Sequence, residues 1–197
     1  VNHLLGFGFP NQKTMNISKR LGLYEKTDDF IEIVYPVSQA SEEQERHQAM
    51  IVDYDPFDAA SRAEIDSLWA LMKGDYRDGI IGVRDAEYIQ HRYMDHPFSK
   101  SKQYRCVIIR AQSSKKALAF AVVKEHDGNK LLMDLICPVA VMKSAISILN
   151  QELILGEGGA VLRLWVTSSG KDKVFTAGAI VNELGIEIPC NSWNPGP

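Results

Sequence analysis

The segment from Tyr104 to Thr167 constrains the fold more than any other part of the chain. Three β-type runs, 104–111, 116–125 and 130–136, are separated only by Gln112-Ser113-Ser114 and by His126-Asp127-Gly128-Asn129. Connections this short and this rich in turn residues join antiparallel neighbours. The next element, 140–155, carries Val141, Ala145, Ile148, Leu149 and Glu152 and reads as a helix. Gly156, Gly158 and Gly159 end it, and 161–167 returns as a strand. A strand–helix–strand unit of this length crosses over right-handed and lays its strands parallel. The expectation is an α/β fold: a mixed sheet, part antiparallel meander and part parallel unit, with helices on both faces.

Around this core the remaining elements can be placed. Asp58 opens a helix to Gly74, with Ile65, Leu68, Trp69 and Met72 on one side. Asp85 caps a second helix over 86–94, which stops before His96-Pro97. A further helix is expected over 171–184, closed by Gly185, with a short last strand at 186–188. At the front, Asn11 caps a helix over 13–20 that stops at Gly22. Its buried side should carry Met15, Ser18 and Leu21, with Ile17 less well placed. Phe30 to Val34, FIEIV, alternates apolar and charged residues as a half-buried strand does. The polar run SQASEEQERHQ separates the two parts, giving a strand–helix–strand appendage at 1–37, a linker at 38–57 and a domain at 58–197. The apolar strands of the appendage need a sheet to dock on, either the following one or one from another chain.

Composition excludes several classes of function. With 197 residues, 45% hydrophobic and 24% charged, the chain can bury a substantial core. A formal charge of -3 argues against nucleic-acid binding, and Lys100, Lys102, Arg105, Arg110, Lys115 and Lys116 read as a solvated rim around a hairpin. No apolar run approaches the ~20 residues that span a bilayer, so no membrane partner is expected. Cys106, Cys137 and Cys190 form neither a CxxC pair nor a Cys/His cluster, so no metal site is expected and a reducing, cytoplasmic setting fits. Cys137 and His96 show no spacing that would make a nucleophile pair.

The stretch GFGFPNQKTMNISKRLGLY, residues 6–24, resembles the last strand–helix–strand of an acyl-CoA N-acyltransferase domain of the GNAT superfamily. It reads as the remnant of a preceding domain. The element order over 58–190 resembles a GNAT domain from its second strand onward. RDAEYIQHRYMDHP and IPCNSWNPGP are similar to segments of uncharacterised bacterial GNAT-like proteins. The resemblance implies an acyl-CoA-dependent N-acyltransferase that uses acetyl-CoA or another acyl-CoA. Its acceptor would be an amine on a small molecule or a protein, and a homodimer would be compatible with it. The alternative is a degenerate, non-catalytic GNAT-like module that binds a ligand or a protein.

The resemblance also points to residues. It places Asn11 where family members contact the pantetheine arm, although as a helix cap Asn11 needs no further role. Ser18 stands where many members carry a tyrosine acid. The pyrophosphate turn of the family is glycine-rich, because phosphate oxygens approach the backbone closely there. Here Ile136 to Lys143 reads ICPVAVMK: it has no glycine, Pro138 removes a donor, and Lys143 is the one cation. Asp134, between Leu132 and Ile136, is the candidate base on the strand where the family keeps a carboxylate; the competing reading pairs it with Arg84, Arg92 or a backbone N–H. Alternation puts Leu131, Met133 and Leu135 on one face of that strand and Leu132, Asp134 and Ile136 on the other. Arg84, Asp85, Tyr88 and Arg92, with Tyr93 and His96 close by, form a polar and aromatic cluster on one helix face. Arg163, Trp165 and Thr167 share a strand face at the parallel pair, where ligand crevices form, and Asn191 and Trp193 could cover it. The pocket set is therefore Arg84, Tyr88, Arg92, Trp165 and Thr167, with an acyl-CoA lying in the splay between 130–136 and 161–167.

Overall fold

The computed structural model describes residues 11–36, 49–77, 81–95, 104–154 and 160–191, with Cys190 and Asn191 described by their backbone alone. The run before Asn11, the polar segment 37–48, His96-Pro97, Lys100, Lys102, the glycines at 156–159 and the tail with Trp193 lie outside them. In chain order the elements are α1 (Gln12–Arg20), β1 (Tyr24–Tyr35), β2 (Ala49–Asp53), α2 (Ala59–Asp75) and α3 (Ala86–Ile89, continued by a π-helical turn Gln90–Met94). Then come β3 (Tyr104–Ala111), β4 (Ala117–His126), β5 (Asn129–Ile136), α4 (Met142–Ile154), β6 (Leu162–Thr167), α5 (Lys171–Val174) and β7 (Ile180–Asn191).

One seven-stranded sheet holds them in the order β2-β3-β4-β5-β6-β1-β7. The meander is antiparallel, and β5 and β6 form the parallel pair. Asp127 and Gly128, at φ 50° and 72°, make the tight β4–β5 turn, a twist that suits the flanking strands. The expected strand at 30–34 is part of a longer β1, which docks between β6 and β7 with Ile31 and Ile33 buried. The first described strand thus lies inside the sheet formed by the later ones.

Two faces follow from the registers. Ile108, Phe120 and Val122 lie under α2 and α3, where the Tyr54 ring meets Phe120 edge-on at 5.3 Å and Glu64 of α2 pairs with Arg110. Ile33, Tyr35, Leu162 and Leu164 lie on the opposite face, where the Tyr35 hydroxyl donates to the Val174 carbonyl of α5 at 3.1 Å. Both layers are dry: Phe120, Ile33, Ile65, Leu149 and Leu162 are fully buried.

Two expectations are corrected. The helix at 171–184 is only Lys171–Val174; from Ile180 the chain is strand β7, paired with β1 along its length. The β-branched Ile180 and Val181 meet an open edge of β1 there, and edge pairing overrides the helical spacing. On α1, Met15 and Ser18 are buried as expected, but Ile17 and Leu21 are 50% and 65% exposed.

Candidate functional site

The site is built from a break in the sheet. β5 and β6 pair only over Lys130–Leu132 and Leu162–Leu164; beyond that the ladder ends and the strands part. A second irregularity lies at the same level. Val122 faces Asp134 and Val123 faces Leu132, so Met133 is an extra residue, a β-bulge. One extra residue inverts the alternation. Leu131 and Asp134 therefore share the α2–α3 face, against the expectation that they lie on opposite ones.

At the base of the split is a cleft of about 260 Å³ lined by Leu131, Leu132, Met133, Arg163 and Trp165. Leu131 and Arg163 are register partners, which sets both cleft walls on the same sheet face as Asp134. Met133 and Trp165 are 41% and 56% exposed at its mouth.

Asp134 flanks the cleft on the β5 side and is buried. Its Oδ1 accepts from Arg84 Nε at 2.9 Å and from the Leu135 N–H at 3.1 Å, and its Oδ2 accepts from the Tyr93 hydroxyl at 3.1 Å. This is the pairing with Arg84 and a backbone N–H that competes with the role of a base. Burial, and then the Asp134 charge, push the Tyr93 phenol far above its ordinary value, so it stays a donor. Tyr88 packs edge-on against Tyr93 at 6.2 Å, and Tyr93 against Tyr104 at 5.3 Å.

Arg92 is exposed, with its charge acting on the Tyr88 phenol, and the wider π-helical turn 90–94 brings Tyr93 inward beside it. Thr167 pairs with Phe30 of β1 but lies beyond the part of β6 that pairs with β5; its hydroxyl accepts from the Gly170 N–H at 3.2 Å and caps a turn. Asn11 spends its side-chain oxygen on the Thr14 N–H at 2.9 Å, and Lys143 is exposed on the first turn of α4.

On the β6 side the flanking residue is Glu32 of β1, which sequence reasoning missed. It faces Trp165 directly on one neighbouring strand and Asn182 on the other. Its side chain is only 12% exposed and accepts from Asn182 Nδ2 at 3.1 Å and Trp165 Nε1 at 3.4 Å, with Arg163 Nη1 at 3.5 Å. Glu32 thus ties together two of the residues that wall the cleft. Arg163 Nε is buried and has no hydrogen-bond partner among the described residues. The signal for Glu32 was the charged position in FIEIV, but nothing in the sequence told which strands would flank it.

No protein-family model and no curated protein matches the chain. Solved structures do match its fold. A conserved protein of unknown function from Enterococcus faecalis, described as a probable N-acyltransferase, superposes over 95% of this chain and 44% of its own with a TM-score of 0.61 and 15% identity. A GCN5-related N-acetyltransferase from Kribbella flavida does so over 96% and 43%, with a TM-score of 0.57 and 11% identity. L-PGS from Bacillus licheniformis matches over 95% and 67%, with a TM-score of 0.52 and 10% identity. The fold is GNAT-like. The chain spans less than half the length of the first two structures.

At the turn from β5 to α4, three of the residues offer no free backbone N–H. Pro138 has no N–H, and the Val139 N–H already donates to a carboxylate, Asp75 Oδ2, at 2.7 Å. The Val141 N–H closes a tight turn on the Pro138 carbonyl at 2.9 Å. Among the described residues no group of three or more His, Cys, Asp and Glu could hold a metal, and no helix is long and apolar enough to cross a membrane.

Proposed function

We propose that this chain is an N-acyltransferase module that receives an acyl thioester in the cleft between β5 and β6 and passes the acyl group to an amine. The observation that carries this reading is the split at Leu132 and Leu164 with the bulge at Met133 beside it. A parted pair of strands offers backbone groups to an extended arm, as a sheet edge does to a strand. The cleft, at about 260 Å³, lies just under the range that buries a drug-sized molecule, so it suits a thioester and a short acyl group rather than a nucleotide.

In this reading the exposed part of the Arg163 guanidinium, on the cleft wall, donates to the thioester carbonyl. Tyr88 and Arg84 shape the acceptor side. Asp134 Oδ2 takes one hydrogen bond in the fold, which leaves it lone-pair capacity for the amine proton, directly or through one water. The amine nitrogen bonds to the carbonyl carbon, the carbon–sulfur bond breaks, and the thiolate is protonated from solvent. Because Glu32 lies on β1, the site draws on both the N-terminal segment and the later domain.

The test is turnover on a panel of primary amines, with donor binding followed separately by thermal shift. A donor at 100 times its Kd should stabilise the native state by about 2.7 kcal/mol. Asp134→Asn should lower turnover by about 10²-fold or more while the donor Kd stays unchanged. Binding without turnover on any amine would reassign the domain as a ligand-binding module.

A further inference from the structure

The contact between Asp75 and Val139 carries a consequence for the donor. Asp75 is the last residue of α2, and its carboxylate is already placed on the N–H that opens the turn before α4. A protein carboxylate on a backbone donor supplies the anion that such a turn attracts. It also repels a second one, and Lys143, exposed on the helix surface, and Lys173, over the Tyr76 ring beside Asp75, are solvated counter-charges that offset this only in part. The neighbouring Cys137 is fully buried, so the turn is packed from beneath, and Pro138 fixes its entry. Glycine, which would let phosphate oxygens reach the backbone, is missing from Ile136 to Lys143.

We infer, building on the acyl-transfer reading, that the donor is recognised as a pantetheine-type acyl thioester through its arm and acyl group alone, with Asp75 holding the place at the β5–α4 turn that a pyrophosphate would need. The donor class is thus an acyl thioester of pantetheine or a comparable amide-bearing thiol, and a nucleotide at its far end adds nothing to recognition here.

The test is isothermal titration of the whole chain with three probes: S-acetylpantetheine, acetyl-CoA and 3′,5′-ADP. The two thioesters should bind with Kd values within about threefold of one another, a difference below 1 kcal/mol, and 3′,5′-ADP should give no heat. Asp75→Asn keeps an oxygen for the Val139 N–H and removes the charge, so the fold is preserved. It should tighten acetyl-CoA about fivefold or more and leave S-acetylpantetheine unchanged. Wild-type affinity for acetyl-CoA about 30-fold above that for S-acetylpantetheine, or displacement by 3′,5′-ADP, would overturn this inference and leave the acyltransfer reading standing. If neither thioester binds, the cleft is not a thioester site, and both readings fall together.

Discussion

Among the described residues, the face of the sheet that carries Asp134 and Glu32 is closed over one half and open over the other. Over β3–β5, helices α2 and α3 leave Ile108, Phe120 and Val122 no more than 1% exposed. Over β6, β1 and β7 the same face presents Trp165 and Ile180, 56% and 55% exposed, and an Arg163–Glu32–Asn182 network. The cleft lies on the seam. The closed half holds Asp134 rigidly through three donors, and the open half leaves room for ligands to arrive. Stability and chemistry are thus divided between two halves of one continuous sheet.

The division predicts the largest contrast in substitutions of similar size. Phe120→Ala in the closed half should cost about 3–5 kcal/mol, read as a fall in the urea midpoint at constant slope. Trp165→Ala in the open half should cost within about 1 kcal/mol yet weaken donor binding. Equal losses would mean the open half is covered in solution. The closed half makes a chemical prediction too. Burial pushes the Cys106 and Cys137 thiols from 9.0 up to about 12, with the Asp134 and Asp75 charges adding to it. Both should resist a thiol reagent at pH 8 in the native state and react on unfolding. Because the unfolded thiols ionise first, their contribution to stability is complete below pH 9 and is lost as pH rises towards 12.

The meander, the crossover and the caps were readable because they rest on local chemistry. Asp58, Asp85 and Asn11 each accept from N–H groups of their own first turns. What escaped depended on neighbours distant in sequence. β7 lacks a distinct strand pattern and exists because β1 offers it an edge. The bulge at Met133 has no signature in LLMDLIC, and it moved Asp134 to the face shared with Leu131. The burial of Tyr93 against Asp134 came through a π-helical turn that propensity does not announce. Glu32 became a site residue only through the insertion of β1 beside β6.

A smaller effect is expected at Glu32 itself. Arg163 is 39% exposed, so Glu32→Gln should cost less than about 1 kcal/mol in stability. The amide cannot hold Arg163 as the carboxylate does, and the β6 wall of the cleft loses its anchor. Donor Kd should rise severalfold, with the pH dependence of turnover unchanged if Asp134 is the base. A shifted pH profile in this variant would instead assign the proton transfer to Glu32.

The smallest effect lies at the open end of β1, where Asp28 accepts from the Ser169 hydroxyl at 2.5 Å and from the Ser169 N–H at 3.3 Å. Partial burial works against its ionisation, but the hydrogen bonds from Ser169, Asp29 and Thr167 outweigh it and hold the carboxyl below 3.8. A depressed carboxylate stabilises the fold above its unfolded pKa, and that contribution disappears as pH falls through the folded one. The difference in urea midpoint between wild type and Asp28→Asn should therefore be small and constant above about pH 5, and should shrink towards zero as pH approaches 2. A difference that persists at pH 2 would mean that Asp28 acts by packing alone, and that the end of β6 is held to β1 without its charge.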